Sequence, residues 1–223
     1  MILSFDIGIK NLAYCILYQN EDKTITIEKW DIIKLLEDDE KCKGFSLNEI
    51  TKRMYNKLNS ELEDYDITEV LLENQPCLKN PVMKSIQMII YGYFQYQTIL
   101  MGREIKNIKL INASNKLKVG KNLHEINNKD EITKIKNKYT RNKKLAIEYT
   151  NWIFINRVKN HEELYEYFNN NKKKDDLADA FLQGLYYINL SNWDWNQKLK
   201  SKLKSKIEIK IEIKNWNQNW NQN

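Results

Sequence analysis

Three separated segments of this 223-residue chain each set a carboxylate in apolar surroundings: residues 4–11 (Ser-Phe-Asp-Ile-Gly-Ile-Lys-Asn), 70–76 (Val-Leu-Leu-Glu-Asn-Gln-Pro) and 174–180 (Lys-Asp-Asp-Leu-Ala-Asp-Ala). Asp6 and Glu73 each end a strand-like apolar run. Asp176 and Asp179 are three apart, so a helix there projects both from one face. Carboxylates in such places are too costly to bury unless something compensates them. Hard divalent cations with oxygen ligands are the usual relief for several converging acids, and magnesium is the expected ion.

The apolar pattern says whether these acids can meet. Residues 2–6 read as a strand, Gly8 as a tight turn, and residues 12–18 and 24–30 as two further strands, the last alternating at period two (Thr-Ile-Thr-Ile-Glu-Lys-Trp). Ser46 with Glu49 forms a capping-box signature, followed by Leu47, Ile50, Met54, Leu58 and Leu62 at helical spacing. A strand over 67–73, entered from that helix, is expected to run parallel to the first. Pro76 ends it. A helix apolar nearly all round follows over 81–101, then a fifth strand over 107–112 and helices over 141–157, 162–168 and 175–190. The expectation is an α/β fold: a mixed five-stranded sheet, with a three-strand antiparallel meander plus two parallel strands, flanked by helices. Residues 1–190 form its domain, with 113–140 as a basic mobile loop. Residues 191–223, which alternate strictly over 207–214 and then nearly repeat Asn-Trp-Asn-Gln, form a low-complexity tail that is either an added edge strand or disordered.

Charge narrows the partner. The formal net charge is +6, but between Lys116 and Lys144 ten basic residues face three acids, a local excess larger than that of the whole chain. Such a stretch is either a solvated Lys-rich loop or a polyanion-binding one, because neutralisation of phosphates by Lys and Arg dominates nucleic-acid affinity. Cys15, Cys42 and Cys77 form no C-x-x-C pair and make a poor disulfide framework. His124 and His161 are too few for the usual zinc ligand sets or for a Ser-His-Asp arrangement. No basic-then-apolar leader is read at the start, and residues 81–101 are broken by Lys84, Gln87, Gln95 and Gln97, so a soluble, intracellular protein without a membrane partner is expected.

In a sheet of this order the ends of the first and fourth strands lie side by side, so Asp6 and Glu73 share a crevice, and a last helix packed beside the first strand adds Asp176 and Asp179. Two cations about 4 Å apart there would activate water and hold the leaving oxygen of a phosphodiester without a histidine base. Each acid also has a plainer reading: a turn-capping residue for Asp6, an exposed strand end for Glu73, helix-dipole partners for Asp175, Asp176 and Asp179. Their convergence is what favours the metal reading.

The segments Asp6-Ile-Gly-Ile-Lys-Asn-Leu-Ala13, Glu73-Asn-Gln-Pro76 and Asp176-Leu-Ala-Asp179-Ala180 resemble the three motifs of the RuvC-type Holliday junction resolvases, most closely the poxvirus and giant-virus branch, with the mitochondrial fungal enzymes nearer than the bacterial ones. The resemblance covers roughly residues 1–190 and implies an RNase H-like fold. It implies two Mg2+ ions per site, for which Mn2+ would substitute, and a homodimer that nicks opposed strands of a four-way junction symmetrically. Carried over by motif, the metal ligands are Asp6, Glu73, Asp176 and Asp179, with Asp175 as a possible ligand. Residues 111–118 resemble the segment that brings a lysine to the scissile phosphate, so Lys116 is the candidate catalytic lysine, with Lys118, Lys143 and Lys144 as alternatives. DNA contacts are expected from Lys10, Asn11, Lys116, Lys118, Lys121, Arg141, Lys143 and Lys144, and dimer contacts from Met83, Ile86, Ile90, Tyr93 and Phe94. A viral chain would act in the host cytoplasm or a virus factory rather than in a mitochondrion.

Competing readings are an RNase H or transposase-like nuclease of the same fold, a non-catalytic DNA-binding scaffold, and a sugar-kinase or actin-like phosphotransferase. The last shares an Asp-x-Gly-x-x-Asn loop but would need further glycine-rich loops, for which six glycines leave little room.

Overall fold

Gly8 determines how the chain begins. A Cβ placed on it would lie 2.0 Å from the Asn11 carbonyl oxygen, so only glycine permits the close turn between β1 (Ile2–Asp6) and β2 (Asn11–Gln19). β3 (Ile25–Lys34) continues the antiparallel meander, while β4 (Glu69–Glu73) and β5 (Asn107–Ile111) pair in parallel on the other side of β1. The sheet order is β3-β2-β1-β4-β5, the mixed sheet that the periodicity predicts. The computed structural model describes residues 1–37, 40, 46–78, 80–123, 126, 128–159 and 162–190. The expected tail strand over 207–214, Cys42, His124 and His161 lie outside these.

One sheet face is covered by α1 (Leu47–Leu62) and α2 (Pro81–Ile99). The Ser46 hydroxyl accepts from the Glu49 N–H and the Glu49 carboxylate accepts from the Ser46 N–H, both at 3.2 Å, completing the capping box. Asn80 caps α2 through Met83 N–H, with Pro81 at its first turn. Leu3, Phe5, Tyr14, Ile16, Val70 and Leu72 meet Met54, Leu58, Ile86, Ile90, Tyr93 and Phe94 in this core. Four of the five residues expected at a dimer interface, Ile86, Ile90, Tyr93 and Phe94, are thus buried within the protomer, and Met83 packs against the same core. A helix apolar on all sides does not reveal which side the sheet takes. The outward side of α2 carries Met88, Tyr96 and Ile99 instead.

The other face is organised by Trp30. Its ring stacks on Phe154 and Phe168 at 5.0 and 4.9 Å and tilts against Phe181 at 5.5 Å. Its indole N–H donates to the Leu177 carbonyl at 3.0 Å. It therefore ties α4 (Lys138–Arg157), α5 (Glu162–Asn170) and the helix over 174–190, α6, to β3. Gly184 lets α6 approach closely, since a Cβ there would lie 2.6 Å from Leu17 Cδ2.

The described residues of 113–140 are not the mobile loop expected. Ala113–Asn122 is a 3-10 helix, Lys129–Thr133 is a short helix, α3, and α4 begins at Lys138. Val119, Leu123 and Ile132 are buried, and Gly120 abuts Tyr149, whose ring would lie 2.0 Å from an added Cβ. These sparse apolar anchors are hidden among Lys and Asn in the sequence. Packing divides the chain into Met1–Tyr186 and Tyr187–Asn223. Of the second unit, residues 187–190 continue α6. No helix among the described residues is long and apolar enough to cross a membrane.

Candidate active site

Strand register brings the first two acids together. β1 and β4 run parallel with Ser4 opposite Leu71, so Asp6 and Glu73, each two residues further on, emerge side by side from the same sheet face. α6 crosses that face in the opposite sense and supplies Asp179. The three acids and Asp176 line a single cleft of about 810 Å³, together with Lys116, Lys143 and Tyr139.

At its centre is the Lys116 ammonium, carried in by the 3-10 helix. Its Nζ lies 3.5 Å from Asp6 Oδ1, 3.0 Å from Glu73 Oε2 and 2.5 Å from Asp179 Oδ2. Burial works against a charged amine here, yet the charges of Asp6, Asp179 and Glu73 outweigh it and raise the lysine pKa. Burial raises Asp6 well above the usual carboxylate range; Lys116 opposes this, and the nearby Asp179 and Glu73 reinforce it. Burial pushes Glu73 up as well, but a hydrogen bond with Asp6 and the charge of Lys116 overcome it and leave Glu73 lowered. The two carboxylates are thus pushed in opposite directions, as paired acids are when one positive charge must serve several of them. Asp179 is pushed up to about 6, chiefly by burial and against the pull of Lys116.

The acids are held from behind. Gln75 Nε2 donates to Glu73 Oε1 at 3.3 Å, and Gln75 N–H donates to the buried Gln87 Oε1 at 2.8 Å. Gln87 also accepts from Lys84 Nζ at 3.1 Å. Gln183, discussed below, ties α6 to β1 and β4.

The doublet at the start of α6 is resolved by its neighbours. Asp175 is ion-paired to Lys143, which lowers its pKa against the effect of burial. Asp176 faces the cleft, and burial and the charge of Asp175 raise its pKa. Lys143 also lies over the Tyr139 ring, 4.9 Å from its centroid. Other residues expected at DNA do not line this cleft. Lys118 sits over Tyr186, 5.7 Å from the ring centroid, Arg141 donates to the Ile135 carbonyl at 3.2 Å, and Lys144 lines a separate pocket with Glu131 and Glu148. Lys10 and Asn11 lie at the β1–β2 turn, and Lys10 O accepts from Leu35 N–H at 3.0 Å. The side chain of Lys121 lies outside the described residues. Lys138, Tyr139, Asn142, Gln75 and Asn80 line the cleft without having been singled out from the sequence, although Lys138 belongs to the basic run.

Among the described residues no group of three His, Cys, Asp or Glu side chains stands in closed metal-binding geometry; the acids are spaced around the ammonium instead. Their chemistry nevertheless fits a hard divalent cation. The donors are carboxylate oxygens, they are mostly buried, and they already require a positive charge among them.

Residues 2–77, which carry the first two acids, match the family model described as mitochondrial resolvase Ydc2 / RNA splicing MRS1. The solved structure of the yeast mitochondrial Holliday junction resolvase Ydc2 superposes with a TM-score of 0.56 at 20% identity, covering 83% of this chain and 78% of that one. RuvC of T. thermophilus, solved with a Holliday junction substrate, superposes at 0.52 with 10% identity, covering 85% and 95%. The fold is that of the RuvC-type junction resolvases. The resemblance read from the three motifs thus holds at the level of the resolvase fold. In sequence, the chain is 25% identical over 200 residues to cruciform cutting endonuclease 1, mitochondrial, of Schizosaccharomyces pombe, covering 81% of this chain and 74% of that protein. It is 39% identical over 139 residues to an uncharacterised protein of Acanthamoeba polyphaga mimivirus, covering 60% of this chain but spanning only about a third of that protein, 32%. A viral and a mitochondrial protein are thus both similar to this chain in sequence.

Proposed function

We propose that this chain is a structure-selective endonuclease that resolves four-way and other branched DNA by paired, symmetric nicks. The observation that carries the proposal is the meeting of Asp6, Glu73 and Asp179, from two strands and a helix, around one lysine in one cleft. Asp6, Glu73, Asp179 and Asp176 would hold two divalent ions, Mg2+ by preference with Mn2+ as a substitute. When bound, the ions supply Lewis acidity that makes water a nucleophile at neutral pH and stabilises the leaving oxygen.

The chain's own groups do the rest. With divalent ions held among the acids, Lys116 would be free to carry its ammonium to the scissile phosphate and to stabilise developing negative charge there. Lys138 and Lys143 line the approach and attract the phosphate backbone, and Tyr139, itself 68% exposed, offers an aromatic face beside them for an unstacked base.

A four-way junction presents two equivalent cleavage points, and a two-fold enzyme presents two equivalent sites. The homodimer would form through the outward strip of α2, since the inward side is spent on the protomer core. Cleavage should be measured on a four-way junction, a flap, a linear duplex and an RNA:DNA hybrid with Mg2+, using the wild type and Asp6→Asn. The expected result is preferential junction cutting by the wild type and none by Asp6→Asn, with junction binding retained. Junction cutting by Asp6→Asn would end this reading, and preferential hybrid cutting would replace it with an RNase H.

A further inference from the structure

Gln183 is only 2% exposed, on the face of α6 that it shares with Asp179 and the fully buried Ala180. Its Nε2 donates to Ser4 Oγ at 3.1 Å and to the Phe5 carbonyl at 3.1 Å, with the Leu71 carbonyl at 3.5 Å. One amide thus spans β1 and β4 just below the acids. Packing alone does not ask for it, since an apolar side chain would fill the space without needing partners.

The geometry points to Gln183 as the positioning residue that sets the spacing of the acidic cluster. The sheet and α6 meet here in two consecutive layers. Ser4, Leu71 and Gln183 form one; Asp6, Glu73 and Asp179 form the next. On the strands the layers are two residues apart, about 6.6 Å. On the helix they are four residues apart, about 6 Å. Apolar contacts resist separation of α6 from the sheet but hold its position along the strands weakly, because they are not directional. Directional hydrogen bonds from Gln183 to β1 and β4 supply what they lack, and so place Asp179 level with Asp6 and Glu73. Catalytic groups need placement within about 0.5 Å. Ser4 belongs to the same device: it is fully buried, small enough to admit the amide, and an acceptor for it.

This role rests on the endonuclease reading for its purpose, but its test does not depend on cleavage alone. Gln183→Met keeps the length and bulk of the side chain and removes the donors; Gln183→Asn keeps an amide but withdraws it by one methylene. Both are compared with wild type by calorimetric Mg2+ titration, by melting, and by kcat and KM on a four-way junction. The expected result is metal affinity about tenfold weaker, at the low end for residues that support metal ligands. At a fixed sub-saturating Mg2+ concentration kcat falls while junction KM is unchanged, and added Mg2+ restores part of the loss. Gln183→Asn should shift in the same direction, and it decides the matter if Gln183→Met does not fold. Folded variants with wild-type metal affinity and kcat overturn the positioning role. A wild type that binds Mg2+ yet cuts no branched DNA would remove the endonuclease reading, while the calorimetric comparison would still decide the role of Gln183.

Discussion

Lys116 Nζ lies 2.5 Å from Asp179 Oδ2, with the lysine side chain 13% exposed and the aspartate side chain 20%. The ammonium is the positive charge around which the acidic cluster is assembled, and a bound divalent ion must compete with it. Lys116→Met should therefore bind Mg2+ more tightly by calorimetry, even as kcat on a junction falls by about 10²–10³ through loss of charge stabilisation at the phosphate. Without metal the variant should be destabilised, by up to about 3–5 kcal/mol, as buried acids lose their partner. Added Mg2+ should recover more of its melting temperature than it adds to the wild type. Weaker Mg2+ binding by Lys116→Met would contradict this account.

Asp175 and Asp176 are neighbours with different work. Asp175 is engaged by Lys143, whereas Asp176 faces the cleft. Asp176→Asn should reduce cleavage and metal affinity together, while Asp175→Asn should leave metal affinity near wild type and change DNA binding through release of Lys143. Calorimetry with Mg2+ and fluorescence anisotropy on a labelled junction separate the two. Equal losses of metal affinity in both variants would show that the doublet acts as one ligand.

The β1–β2 turn leaves no room for a side chain, because the atom met by a Cβ on Gly8 is the backbone oxygen of Asn11, at 2.0 Å. Backbone cannot swing aside as a long side chain can. Gly8→Ala should cost about 1–3 kcal/mol in urea unfolding, and should displace Asp6 two residues upstream. Cleavage is then expected to fall by more than a simple loss of folded protein accounts for. Full specific activity per folded molecule would show that the turn and Asp6 are uncoupled.

The fold and its acids were legible in the chain for a physical reason. Asp6 and Glu73 end apolar runs, and a parallel pairing of those runs leaves them no place except side by side. Asp175 and Asp176 could not be separated in advance, since both lie close to Asp179 on a helical wheel and the deciding partner, Lys143, is distant in sequence. The inward side of α2 was hidden because apolar residues surround that helix. The order in residues 113–123 depends on Val119, Gly120 and Leu123 fitting against other elements, a match of shapes that periodicity does not carry. Gln183 gave no sign at all. A glutamine on a helix ordinarily faces water, and only the approach of α6 to β1 and β4 shows it to be buried and bonded.

The outward strip of α2 leads to the last prediction. Met88, Tyr96 and Ile99 are exposed by 47%, 50% and 72%, and nothing lies within 4 Å of a Cβ built on Gly92 in their midst. On a helix Met88, Gly92 and Ile99 fall on the side opposite Ile86, Ile90 and Tyr93, with Tyr96 at its margin. An apolar strip with a flat glycine at its middle suits close packing against an identical helix, where each copy offers the other the same surface. Met88→Asp and Ile99→Asp should each shift the protein from dimer to monomer in analytical ultracentrifugation without lowering its melting temperature by much, because neither side chain contributes to the protomer core. On a junction held in a plasmid, the monomer should release singly nicked circles in place of the linear product of two coordinated cuts. Retention of the dimer by both variants would place the two-fold contact elsewhere on the molecule.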